Sequence, residues 1–204
     1  MPRNLVRDRK IREERRKKIL ESALQQFAKK GPAFSKIQDI AKEAGMSHAL
    51  VYNYFKSKEE IFAVLAQESL EGMNKRLHDM KNLPLSPTKR LEWLLDELSH
   101  LDNNKIILHL VFMDQVYISQ IFSSKDFHAN IRDYVQKIME ENYRIITEVF
   151  QEGQESGEFI GGEATQHALV FHSLIRGFIY ARYSGIAHSE MSKELLVYFK
   201  KDNQ

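Results

Sequence analysis

The sequence predicts an all-α protein of about nine helices. Apolar residues recur at spacings of three and four along almost the whole chain of 204 residues, and no sustained alternation of period two marks a strand. Clear punctuation separates the periodic stretches, at Gly31-Pro32, at Asn82-Leu83-Pro84 and across Gly153, Gly157 and the Gly161-Gly162 pair.

Taken in order, a first helix from about Glu13 to Lys30 presents Ile19, Ala23, Leu24 and Phe27 on one face. Two short helices follow, and then a connector from about Lys58 to Met80 with Ile61, Phe62, Leu65, Leu70, Met73 and Leu77 inward. Ser86-Pro87 supplies a cap and first-turn pair for a helix to Leu101 that carries Leu91, Leu94, Leu95 and Leu98. Lys105 to Phe122 is apolar on most sides, which predicts deep burial. Phe127 to Glu152 keeps one apolar stripe through Ile131, Val135, Ile138, Asn142, Ile145 and Val149. Glu163 to Tyr183 and Ser189 to Lys200 close the chain.

The most informative stretch is Ser35 to Phe62. Ile37, Ile40, Ala41 and Ala44 form one helical face, Ser35 is placed to cap it, and Gly45 can enter the left-handed conformation that ends it. A second helix starts at Ser47. Small residues at Ala41 and Gly45, with Val51 six positions later, suit a helix-turn-helix whose second helix is free to enter a major groove. Ser47, His48, Ala49, Leu50, Asn53 and Tyr54 are expected to face outward. Val51, Tyr52 and Phe55 are expected to turn toward the supporting helices, with the Tyr52 hydroxyl able to emerge at the surface. Ser57 and Glu60 form a capping pair, and Lys58 stands at a helix start suited to a phosphate.

Here the chain resembles the tetracycline-repressor (TetR) family of bacterial transcriptional regulators. The matching parts are Ile40-Ala41, Ala44-Gly45-Met46-Ser47, Tyr52-x-Tyr54-Phe55 and Ser57-Lys58-Glu59-Glu60, and the similarity runs roughly from Arg12 to Gly72. The resemblance implies that Ser35, Lys36, Ser47, Tyr54 and Lys58 approach phosphates, with His48, Ala49, Leu50 and Asn53 near base edges. Ala49 and Leu50 depart from the glycine and the small or hydroxylated residue usual at those positions; a thymine methyl suits them better than a hydrogen bond. A solvated helix face is the competing reading for His48 and Asn53, and an ordinary surface lysine for Lys36 and Lys58.

Charge is distributed in the same sense. The formal net charge is only +2, but residues 1–60 hold 15 Lys and Arg against 8 Asp and Glu, leaving 15 against 20 for the rest. A basic end suits a polyanion, and the acidic remainder argues against indiscriminate binding of nucleic acid or anionic lipid. The run from Arg3 to Lys18 reads as a flexible arm reaching a phosphate or minor groove, with a solvated tail as the alternative for Arg3 to Lys10. The resulting division is an arm over 1–11, a helix-turn-helix domain over 12–57, a connector over 58–80 and an effector-binding and dimerisation domain over 81–204.

For that last domain the resemblance implies a small-molecule pocket among the middle helices and a twofold dimer. Pocket candidates are Trp93, His109, Phe112, Met113, Tyr117, Phe127, Tyr134, Met139, His172 and Arg176, whose apolar bias suits a lipophilic or aromatic effector. Packing alone is the bland reading for each. The dimer face is expected from Ala168, Phe171, Ile175, Phe178 and Ile179 of one helix and Met191, Leu195, Tyr198 and Phe199 of the next, two copies forming a four-helix bundle.

Other classes find little support. There is no cysteine, which excludes disulfides, thiolate catalysis and cysteine-based zinc sites. No H-E-x-x-H, Walker loop, strand-linked G-x-G-x-x-G or nucleophile elbow occurs, so neither a metal nor a cofactor is expected, and no enzyme. The basic N-terminus is not followed by a signal-type apolar run, and nothing approaches the ~20 apolar residues of a membrane helix. A cytoplasmic location is expected.

Overall fold

The computed structural model describes residues 5–100, 107–114, 116, 129–186 and 193–201. Among these the α-helices are α1 (Leu5–Lys30), α2 (Ile37–Glu43), α3 (His48–Tyr52), α4 (Lys58–Lys81), α5 (Pro87–Ser99), α6 (Ala129–Glu155) and α7 (Ala164–Tyr183). Residues 107–114 are also helical, and Lys193–Tyr198 form a 3-10 helix. This is the predicted all-α class. The chain divides into two compact units, Met1–Glu68 with Leu108–Arg132, and Ser69–Ile107 with Asp133–Gln204.

In the first unit α1 starts eight residues earlier than the periodicity suggests, at Leu5 rather than Glu13, so the basic run is helical from that point and not an arm. Its Arg, Lys and Glu residues are good helix formers, no Gly or Pro interrupts it, and Arg9 Nε lies 3.0 Å from Glu13 Oε1 one turn on. Gly31, at φ 75°, ends it. Ile19, Leu20, Ala23, Leu24 and Phe27 are buried. Phe27 meets Phe62 of α4 edge-on with ring centroids 5.7 Å apart, and Phe112 packs on both, 6.1 Å from Phe27 and 5.2 Å from Phe62. Each such ring contributes about 1.5–3 kcal/mol by leaving water.

Two capping expectations are corrected. Ser35 does not cap α2: its buried hydroxyl donates to the carbonyls of Gly31 (2.8 Å) and Gln26 (3.2 Å), tying the loop to the end of α1, and Lys36 is the N-cap residue without a side-chain cap bond. Ser86 precedes Pro87 as predicted, but its hydroxyl donates to Glu158, whose carboxylate also accepts the Thr88 N–H at 3.1 Å. A carboxylate distant in sequence thus satisfies the orphan amide at the start of α5.

The second unit centres on rings from α6, α7 and the C-terminal segment. Phe150 lies 5.1 Å from Phe159, 5.8 Å from Phe171 and 5.0 Å from Phe199. The last residues are fastened by Ile160 N–H to Phe199 O (2.9 Å) and Lys201 N–H to Glu158 O (3.1 Å), an isolated antiparallel bridge. The predicted helix from Ser189 to Lys200 is here a 3-10 helix over Lys193–Tyr198, packed on α5. Glu92, buried on α5, accepts Lys89 Nζ at 2.6 Å and Lys200 Nζ at 3.4 Å. Burial alone raises its pKa, but the two ammonium groups outweigh that and hold the carboxyl below its usual range.

Gly153 is required by packing. A Cβ there would stand 2.1 Å from Phe159 Cδ2 and 2.4 Å from Cε2. Gly153→Ala is expected to cost about 1–3 kcal/mol through overpacking, read as a lower denaturant midpoint with an unchanged slope.

Candidate nucleic-acid interface

The turn between α2 and α3 is built as its spacing indicates. Gly45 has φ 65°, its N–H donates to Lys42 O (3.1 Å), and Met46 N–H donates to Ala41 O (2.9 Å), the paired bonds of a Schellman ending. Ser47 then caps α3, its hydroxyl accepting the Leu50 N–H at 3.2 Å. Val51 and Phe55 are buried, so the opposite side of the short helix faces out: Ser47, His48, Ala49 and Asn53 are exposed, and Leu50 and Tyr54 are half-buried.

Tyr52 departs from the core placement expected of it. It is 46% exposed, and its ring meets that of His48 edge-on at 4.9 Å, one turn apart, so the two form a small aromatic ridge on the outer face. Its hydroxyl is available at the surface along with the imidazole and the Asn53 amide.

Around this helix the expected phosphate residues have different surroundings. Lys36 is exposed at the start of α2, whereas Ser35 is buried. Ser57 Oγ accepts the Glu60 N–H at 3.1 Å, and the Glu60 carboxylate accepts the Lys56 N–H, closing the start of α4. Lys58 Nζ donates to Pro32 O at 2.7 Å and Ala33 O at 3.4 Å, bracing the loop ahead of α2. Two features were not singled out in the sequence. Phe34, in that loop, is 79% exposed, and the Arg12 guanidinium lies over the Tyr54 ring at 5.6 Å. A basic residue near the start of a long helix gives no local signal that it will meet an aromatic forty-two positions on.

The pocket candidates fall in both units. Phe112 is buried among the phenylalanines of the first, Met113 is half-buried, and exposed His109 borders an open cleft of about 410 Å³ floored by Leu20, Leu24 and Leu65. In the second, Trp93 and Met139 are half-buried, and the Tyr134 hydroxyl donates to Glu71 at 2.7 Å. Burial, and then that carboxylate, push the Tyr134 phenol up to about 12. The structure brings together His172 and Arg176 with Tyr143, the last unanticipated: the His172 and Tyr143 rings lie 5.3 Å apart. Although His172 as a residue is exposed, burial of its imidazole and then the Arg176 charge lower its pKa. Tyr117, Phe127 and Met191 lie outside the described residues.

Of the residues expected at a dimer face, Ala168, Phe171, Ile179 and Phe199 are buried within the chain, Ile175, Phe178 and Leu195 are half-buried, and Tyr198 is 67% exposed. The apolar groups left outward are instead Leu169, Val170, Tyr180, Tyr183 and Val197.

Among the described residues no group of His, Asp and Glu is placed to hold a metal ion, and no helix is long and apolar enough to cross a membrane. Residues 19–65 match the sequence profile of the bacterial regulatory proteins of the tetR family. The chain is 28% identical to the HTH-type transcriptional regulator YttP of Bacillus subtilis over 150 residues, 70% of this chain and 66% of that one. It is 23% identical to the HTH-type transcriptional repressor KstR2 of Mycolicibacterium smegmatis over 145 residues, 71% of this chain and 67% of that one. The fold is shared with a transcriptional regulator of Saccharomonospora viridis in complex with choline, at TM-score 0.70 and 22% identity over 93% of this chain and 100% of that one. It is shared also with the regulator FadR of Bacillus subtilis in complex with stearoyl-CoA, at TM-score 0.61 and 19% identity over 88% and 95%. With this domain match, these regulator relatives and an uncovered second helix in the turn motif, residues 19–65 of the chain are a DNA-binding domain of the TetR family of bacterial regulatory proteins.

Proposed function

We propose that the protein is a repressor that grips a palindromic operator as a homodimer and releases it when a small lipophilic or aromatic molecule binds. The observation that carries this reading is the outer face of α3, where His48, Tyr52 and Asn53 stand uncovered on a helix whose other side is anchored by Val51 and Phe55. These three side chains can hydrogen-bond to base edges, and Ala49 and Leu50 offer apolar contact to a thymine methyl. Residues 12–57 form the reading domain, 58–80 the connector and 81–204 the effector and dimer domain.

A second copy is expected on α7. Leu169, Ser173, Gly177 and Tyr180 follow one another at helical spacing, all exposed, and the position of a Cβ on Gly177 is open space. A stripe of this kind with small residues at its middle admits another helix at close range. Two copies double the contacts of one short recognition helix and fix the half-site spacing. The Tyr143, His172 and Arg176 cluster is the suggested effector contact, its rings suited to an apolar body and the guanidinium to an acidic group. The relatives named as held with choline and stearoyl-CoA support a ligand-responsive member. Release is a population shift, for which a coupling of about 1–3 kcal/mol, roughly 5- to 150-fold in operator affinity, suffices.

Selection of bound sequences from random duplex DNA, repeated with a pool of lipophilic metabolites, tests the reading. A twofold-symmetric site lost on adding one compound supports it; symmetric binding indifferent to every compound leaves a constitutive DNA-binding protein; turnover with no preferred duplex restores an enzyme. Lys58→Ala is expected to weaken binding to all sequences alike and to reduce the salt slope by about 0.9 per phosphate lost, since two carbonyls use only two of its three donors. His48→Ala is expected to change the ranking of selected sites; an unchanged ranking removes His48 from the base-reading set.

A further inference from the structure

We propose that Arg12, on α1 and upstream of the matched 19–65 stretch, is a DNA-backbone ligand held in position by Tyr54 at the end of the recognition helix. This rests on the DNA-binding reading above and adds to it a second contact element, the rigid N-terminal half of α1.

Three arginines, Arg9, Arg12 and Arg16, recur at helical spacing along α1, and they are compensated differently. Arg9 pairs with Glu13 at 3.0 Å. Arg16 lies over the Phe55 ring at 5.6 Å and pairs with Glu68 at 2.9 Å. Between them Arg12 has the face of Tyr54 beneath it at 5.6 Å and no carboxylate partner among the described residues. An aromatic face holds a guanidinium in place without consuming its N–H donors, whereas an ion pair takes up at least one of the five. Arg12 is therefore oriented and still has its hydrogen-bonding fork to offer.

The ring that orients it belongs to the residue immediately after Asn53, so the fork stands beside the end of the segment that carries His48, Tyr52 and Asn53. A planar fork matches two oxygens of one phosphate. The charge of the surrounding helix agrees: from Leu5 to Lys18 there are eight Lys and Arg against three Asp and Glu. Because α1 is continuous from Leu5, that charge is presented on a fixed scaffold, which avoids the ordering entropy of a flexible arm. Contact to backbone oxygens positions the protein and carries no base information.

The test compares wild-type protein with Arg12→Gln and Arg12→Lys on the selected operator and on unrelated duplex across a salt series. Gln keeps helix propensity and length but removes the charge. The expected result for Arg12→Gln is a salt slope shallower by about 0.9 per phosphate lost, so that the affinity lost between about 50 and 200 mM salt shrinks roughly three- to fourfold for each such contact, with the ranking of sites unchanged. Arg12→Lys is expected to keep the slope while binding several-fold more weakly, having charge without the stacked fork. A salt slope for Arg12→Gln equal to wild type, or a changed site ranking, overturns the assignment while leaving the regulator reading intact. Wild-type protein that selects no duplex at all removes both.

Discussion

Five residues are too few to form a helix unaided, since an isolated helix is marginal below about 12–15 residues, so α3 exists only because the rest of the first unit holds it. Burial of Val51 and Phe55 fixes which side faces out, at about 1.5–3 kcal/mol for each side chain removed from water. The left-handed Gly45 sets the angle at which the chain leaves α2, and the Ser47 cap satisfies an amide that would otherwise compete for solvent. Lys58 braces the loop ahead of α2 from the far side of the motif. Exposure of His48, Tyr52 and Asn53 follows from these constraints, because an outward face on so short an element is defined by what its inward face is fastened to.

How much of this could be read from the sequence depends on the range of the interaction. The Gly45 turn and the Ser57 and Glu60 start of α4 are local, fixed by residues within five positions of one another, and the spacing states them; the side-chain cap from Ser47 is equally local. Ser35 looks like a cap by the same rule but spends its hydroxyl on α1, nine residues back, where only the folded chain brings the Gln26 carbonyl into reach. Phe112, expected at a pocket, is instead the third ring on Phe27 and Phe62, 85 and 50 positions away in the chain. The helix α7 is legible as apolar and periodic, yet Ala168, Phe171 and Ile179 go to the chain's own core and leave Leu169, Val170 and Tyr180 outside. Periodicity finds a face without saying which of two apolar faces stays at home.

Charge follows the same logic. The net charge of the first 60 residues marks a polyanion-binding end, but a count treats every arginine alike. Folding separates them: Arg9 and Arg16 are answered by Glu13 and Glu68, and the groups that remain uncompensated are the ones able to act on an outside partner. In the second unit several carboxylates are likewise answered, Glu92 by Lys89 and Lys200, Glu148 by Lys81, and Glu152 by Arg90. The Glu148 and Glu152 pairs fasten α6 to α4 and to α5, and Lys200 ties the C-terminal segment to α5.

The chemistry of α3 also limits what a single copy can do. His48, Tyr52 and Asn53 are the outward residues proposed to discriminate bases by hydrogen bonding, and each good contact discriminates by about 1–3 kcal/mol. Against the thousandfold or greater preference that a specific DNA site needs over bulk duplex, about 4 kcal/mol at the least, one short helix reaches the threshold only if nearly every contact is made well. The shortfall can be met by repetition or by backbone contacts, and the two differ in kind. Backbone contacts raise affinity for every sequence equally, so they hold the helix on DNA without helping it choose. In the proposed dimer a second reading helix at a fixed distance adds to choice as well as to affinity, and the exposed stripe on α7 bears on recognition through that proposal.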